Sequence, residues 1–146
     1  MTVLDETAAA VTAPRWADVG PEQAVTVDRG VCALVGARAV AVFRCAGAPG
    51  EPERWFAVDN VDPFTGASVL SRGIVGSVDD RAMVVSPLLK QRFDLATGVC
   101  LDDGEVRLSV WPVRVVEGRV LVGTEASSSG NDRETTSKHG PATIRR

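Results

Sequence analysis

Apolar residues in this chain come in runs of four or five, parted by glycine, proline or acidic pairs at intervals of about ten residues. Residues 31–35 and 39–43 flank Gly36, Ala37 and Arg38, the pattern of a β-hairpin. In the second arm Val40, Val42 and Arg44 share one face, and Ala39, Ala41 and Phe43 share the other. Both faces are largely apolar, so this hairpin is predicted to lie between two layers. Residues 55–58 form a further short strand. Residues 73–76 and 82–85 flank a turn centred on Asp79 and Asp80, and residues 92–94 and 99–101 flank a turn ending in Gly98. Residues 113–116 and 119–122 make a fourth hairpin across Glu117 and Gly118.

Other stretches are read from breakers and alternation. A strand starting near Trp16 is predicted to stop at Gly20 and Pro21. Val106, Leu108 and Val110 alternate with Arg107 and Ser109, which predicts a half-exposed strand over 106–110. Pro112 has no N–H to give to a ladder and belongs at an edge or a bulge. Residues 47–52 and 60–73 carry the punctuation of loops, with one helical turn expected over 67–70. No segment keeps a long 3.6-residue period, so any helix is short. The sum is an all-β, antiparallel sandwich or partly open barrel.

A chain of 146 residues has the length of one domain. Residues 1–14 are small, polar or acidic without a period and are read as a flexible leader, followed by a domain over 15–124. Residues 125–146 are rich in Ser, Thr, Asn and Gly, with Ile144 the one large apolar side chain. Such a stretch cannot offset its ordering entropy by burial, and it is expected to be a disordered tail.

Charge and cysteine usage narrow the chemistry. A net charge of −3, with positive residues scattered, argues against a nucleic-acid partner. No basic n-region precedes an apolar run near the start, and no run reaches membrane-spanning length, so a cytoplasmic chain without a membrane partner is expected. Cys32, Cys45 and Cys100 are odd in number and unclustered, which fits free, buried thiols of a reducing compartment. His139, the sole histidine, lies in the polar tail and is read as solvated. A nucleophile–histidine pair would have to be built on it, so covalent hydrolysis is disfavoured. The pairs Asp79-Asp80 and Asp102-Asp103 are turn residues, and Asp59 and Asp62 are read as loop caps before acid–base catalysts. No glycine loop has the spacing of a nucleotide site.

Two proline loops carry the sharpest signal. Residues 59–64 read DNVDPF, residues 69–76 VLSRGIVG, and residues 86–95 SPLLKQRFDL, with Gly98 after them. The second loop resembles the Cys-Pro-x-His-x-x-x-Phe-x-x-x-x-Gly motif of Rieske proteins: Pro87, Phe93 and Gly98 stand where that motif wants them. The positions of the four cluster ligands are held by Asp62, Phe64, Ser86 and Leu89. Taken together, the three phrases resemble the small subunit of assimilatory NAD(P)H-dependent nitrite reductase, a branch of the Rieske-like superfamily, over residues 16–123.

The resemblance implies a Rieske-like sandwich with both proline loops at one tip and no iron–sulfur cluster. Iron in a [2Fe–2S] centre wants thiolate or imidazole. Phe64 and Leu89 have no donor atom, and Asp62 and Ser86 offer hard oxygens. Phe64 and Leu89 are instead expected to fill the space of a cluster, and a chain treated with iron and sulfide to stay colourless. The resemblance further implies no catalytic residue and no cofactor in this chain. Its partner would be a large subunit bearing FAD, [4Fe–4S] and sirohaem, which reduces nitrite to ammonium. Phe64, Arg72, Lys90, Gln91 and Arg92 are the expected docking residues. A Rieske-type electron carrier would need the ligands this chain lacks. The alternative is a stand-alone β interaction module with an unrelated partner.

Overall fold

The computed structural model describes residues 15–126 and 142–145. The architecture is built on β3 (Arg38–Cys45), whose two faces enter different cores. Val40 and Val42 pack with Val19, Ala33, Val35, Ala57, Trp111, Val120 and Val122. Ala41, Phe43 and Cys45 pack with Val58, Leu70, Val84, Phe93, Leu95 and Leu108. A strand alternates sides at every residue, so apolar residues on both sides place it between layers, as the sequence predicts.

Three antiparallel sheets make up the fold. β3 sits in the middle of a five-stranded sheet, between β2 (Arg29–Val35) and β4 (Arg54–Asp59), with β11 (Ala142–Arg145) outside β2 and β8 (Val110–Trp111) outside β4. The Val40–Val42 face is covered by a sheet of β1 (Trp16–Pro21), β10 (Arg119–Gly123) and β9 (Val113–Val116). The Phe43 face is covered by β5 (Ile74–Val78), β6 (Arg81–Val85) and β7 (Arg92–Asp94). The sheets do not close into one barrel. Among the described residues no helix is long and apolar enough to cross a membrane.

The hairpins fall where the turns require. Asp79 and Asp80 have φ of 52° and 70°, and Glu117 and Gly118 have 50° and 78°. Two successive positive φ values mark the turn whose twist matches a right-twisted hairpin. The structure corrects four expectations. β1 runs through Gly20 to Pro21, its register shifting between Asp18 and Gly20 where a stop was expected. The strand expected over 106–110 is confined to Val110–Trp111. The stretch before it makes a single bridge, Val99 to Arg107, with Leu108 N–H donating to the Gly98 carbonyl at 2.8 Å. Pro112 then ends β8 after two residues and passes the chain to β9 in the other sheet.

The third correction is the helical turn expected over 67–70, which forms as a 3-10 turn at Leu70–Arg72. Asn60 holds it: its carbonyl accepts Leu70 N–H at 3.0 Å, and its side-chain oxygen accepts Ser71 N–H at 2.7 Å. The fourth lies in the last segment, expected to be a tail, where residues 142–145 pair with β2 from Cys32 to Val35. The leader and His139 lie outside the described residues.

Candidate functional site

The two proline loops join β4 to β5 and β6 to β7 and lie against each other. In the first, Asp62 is fully buried. Its backbone closes the loop: Asp62 N–H donates to Ala67 at 2.8 Å, and its carbonyl accepts Gly66 N–H at 2.7 Å. One carboxylate oxygen accepts Phe64 N–H at 2.8 Å. The other accepts the Ser86 hydroxyl at 2.6 Å, across the gap between loops. Ser86, also fully buried, closes the second loop in the same way. Its N–H donates to Gln91 at 2.9 Å, its carbonyl accepts Lys90 N–H at 3.1 Å, and its Oγ accepts Leu88 N–H at 3.3 Å. Lys90 takes φ of 67° to complete that turn.

These are the two residues that the sequence resemblance sets against the cysteines of the Rieske pattern. A carboxylate and a hydroxyl there are an acceptor and a donor, and they use each other. The great majority of buried polar groups in folded proteins are paired in this way. Phe64 packs half-buried on the core, its ring centroid 6.2 Å from that of Phe93. Leu89 does not fill the space of a cluster, contrary to expectation: it is 53% exposed at the crest of the turn, beside Leu88 at 47%. A ring, an isobutyl group in solvent and two oxygens already committed to each other do not fit a [2Fe–2S] centre.

The five expected docking residues divide. Lys90 is exposed in the second loop and Gln91 after it is half-buried, as is Phe64 in the first loop. The Gln91 side-chain oxygen is buried without a hydrogen-bond partner among the described residues. Arg92 is engaged: its guanidinium grips Asp102 at 2.8 Å, and its backbone N–H reaches the same carboxylate at 2.9 Å. The Arg92 side chain, then its N–H, hold the Asp102 carboxyl below the usual carboxylate range, and that contact raises Arg92. Arg72 stands apart, in an open cleft of about 560 Å³ with Asp28, Arg29, Gly30 and Ser71. The sequence reading missed Val61, Leu88 and Leu101, which are exposed apolar residues, and the Asp62–Ser86 pair. The pair had a signal: one hydrogen-bond donor and one acceptor, each directly before the proline of its loop.

The thiols are not part of this site. Cys45 and Cys100 are buried. Burial, then the nearby Asp28 charge, pushes the Cys45 thiol up to about 11, which leaves it a poor nucleophile at neutral pH. Among the described residues no group of three or more His, Cys, Asp or Glu side chains is placed to hold a metal ion.

Residues 15–123 match the family model of the Rieske-like [2Fe-2S] domain. The nitrite reductase (NADH) small subunit of Escherichia coli (strain K12) is 39% identical over 106 residues, which are 73% of this chain and 94% of the relative. A Mycobacterium tuberculosis crystal structure, provisionally assigned as an NADH-dependent nitrite reductase small subunit, is similar with a TM-score of 0.68 and 46% identity. That match covers 75% of this chain and 95% of the other. The nitrite reductase [NAD(P)H] large subunit of Klebsiella oxytoca is 36% identical over 110 residues, which are 75% of this chain and 11% of that protein.

Proposed function

The chain belongs to the Rieske-like [2Fe-2S] domain family and to its nitrite reductase small-subunit branch, and from that premise we propose how it serves the enzyme. It is the small subunit of NAD(P)H-dependent nitrite reductase, and its partner is the large subunit. It contributes shape and contact while the large subunit carries FAD, [4Fe–4S] and sirohaem and takes nitrite to ammonium in the cytoplasm. The observation that carries this reading is the Klebsiella oxytoca large subunit, in which a stretch similar to this chain is part of the same polypeptide. A domain covalently tied to the enzyme in one protein supplies the expectation that it binds the enzyme non-covalently in another.

The donor set supports a structural role. With carboxylate, phenyl, hydroxyl and isobutyl at the ligand positions, electrons have no cluster to pass through here. What the tip offers instead is apolar surface: Val61 at 41% exposure, Leu88 and Leu89, with Lys90 beside them. Apolar side chains at an exposed crest, rimmed by charge, suit a protein interface. Phe64 lies in the other loop, packed on Phe93, and Gln91 and Arg92 follow the crest in sequence.

Co-purification from cells making both subunits tests this, followed by nitrite reduction with and without this chain. The large subunit is expected to be retained by the wild-type chain and lost, by about tenfold or more in affinity, from Leu88→Asp/Leu89→Asp. Equal retention by both chains would reject the tip as the interface. Equal turnover with and without the chain would reject the supporting role.

A further inference from the structure

We infer that the cleft between the start of β2 and the outer edge of β5 receives an extended, acidic segment of the large subunit, added as a strand to β5. This rests on the reading that the chain docks on that subunit, and it names a second contact away from the loop crest.

β5 is the outermost strand of its sheet. Its register pairs Ser77 with Ala82, and the Ala82 carbonyl accepts Leu95 N–H on the side away from β5. In an antiparallel pair the bonded and non-bonded positions alternate, so the backbone N–H and C=O groups of Val75 and Ser77 face outward. Among the described residues no backbone group accepts or donates to them. Exposed edges are ordinarily blunted by charge, proline or a bulge. Residues 74–78 read IVGSV, without charge or proline, and their register with β6 is unbroken. The edge is therefore open to strand addition, and Ile74, 69% exposed at its start, offers an apolar anchor.

The opposite wall sets the charge of the occupant. Arg29 and Arg72 are both exposed and line the cleft, and neither meets a carboxylate among the described residues. Asp28, the one acid in the wall, is bonded through its carboxylate to Ala46 N–H at 3.0 Å. Gly30 also lines the cleft and packs closely beneath it: a Cβ there would lie 2.5 Å from the Phe43 ring and 3.0 Å from the Ser71 carbonyl. Two free guanidiniums beside an unguarded strand edge are complementary to a strand bearing carboxylates.

The test immobilises the full-length chain and measures capture of purified large subunit at about 50 mM and about 300 mM NaCl. Arg29→Glu/Arg72→Glu is expected to weaken capture about tenfold at the lower salt and less at the higher. Ser77→Pro, which removes an outward N–H without altering charge, is expected to weaken it about fivefold at both. Both variants are expected to keep the Tm of the free chain. Wild-type affinity in both, with capture lost in Leu88→Asp/Leu89→Asp, would overturn the cleft and leave the docking reading standing. Failure of the wild-type chain to capture the large subunit would overturn the two together. A lowered Tm on charge reversal with unchanged capture would give the cleft to the chain's own residues and overturn it as well.

Discussion

Around Val40 and Val42 the chain presses apolar side chains from two sheets together, whereas around Asp62 and Ser86 it joins two loops through one carboxylate–hydroxyl bond. The first region is the base and the second the tip. The base has no dominant contact: its strength is spread over Val19, Val35, Ala57, Trp111, Val120 and their neighbours, all removed from water. The tip has few apolar residues to spend, and its large ones at the crest stay in solvent. In a metal-binding relative the cluster would tie such loops together; here a short buried hydrogen bond does so. The tip is held by a single bond between its loops and the base by many apolar contacts, which makes the tip separable from the base.

The largest effect is expected from breaking the base. Trp111 is 3% exposed, packs in the Val40–Val42 cluster and donates its indole N–H to Asp59 at 3.0 Å. Trp111→Ala removes that volume and one of the two donors to the Asp59 oxygen, the Arg38 guanidinium at 3.2 Å remaining. A loss of about 3–5 kcal/mol in urea unfolding is expected. Because the whole fold depends on this cluster, iodoacetamide labelling of Cys45 should accelerate about tenfold for each ~1.4 kcal/mol of stability lost. A variant that unfolds as the wild type does would show that the base is not what holds the fold.

A smaller and local effect is expected at the tip. Ser86→Ala leaves one oxygen of the buried Asp62 carboxylate without its donor and frees Leu88 N–H, at a cost of about 1–3 kcal/mol. Hydrogen exchange should rise at Phe64 and Leu88 far more than at Val40 or Val42, while Cys45 labelling tracks only the change in global stability. Uniformly faster exchange across both regions would dissolve the distinction between tip and base.

The same distinction decides what could be read in the chain beforehand. Hairpins at Asp79-Asp80 and Glu117-Gly118 were legible because their turns are local: two residues able to hold positive φ between apolar arms suffice. The two faces of β3 were legible because alternation is local too. Family membership was legible from Pro87, Phe93 and Gly98, whose spacing survives the loss of the ligands. The exposure of Leu89 was not legible, because a leucine at a former ligand position looks like filler until Lys90 N–H is seen to close the turn on Ser86. The shortened strand before Pro112 was not legible either. Val106, Leu108 and Val110 do face the core, but the ladder fails for want of a continuous partner, a fact of tertiary pairing. Asn60 organises the 3-10 turn eleven residues downstream through its side chain, a range at which local pattern is silent.

The smallest effect is expected where base and tip are alike. Each has an exposed ion pair: Asp18 with Arg119 in the base at 3.0 Å, and Asp102 with Arg92 beside the tip at 2.8 Å. In both the arginine hydrogen bond is the first cause that lowers the carboxyl below its ordinary 3.8. The folded chain thus gives up the proton more readily than the unfolded one. The stabilisation is complete above the ordinary carboxylate value and is lost as pH falls through the lowered one. Arg92→Gln and Arg119→Gln should each lower Tm slightly at pH 7, by less than Ser86→Ala does. That difference from the wild type should shrink in high salt and vanish in acid below the folded value. Exposed pairs are screened equally wherever they sit, so the two variants should behave alike. A Tm loss in Arg92→Gln as large as that of Ser86→Ala would mean that Asp102, and not Asp62, is the main restraint on the second loop.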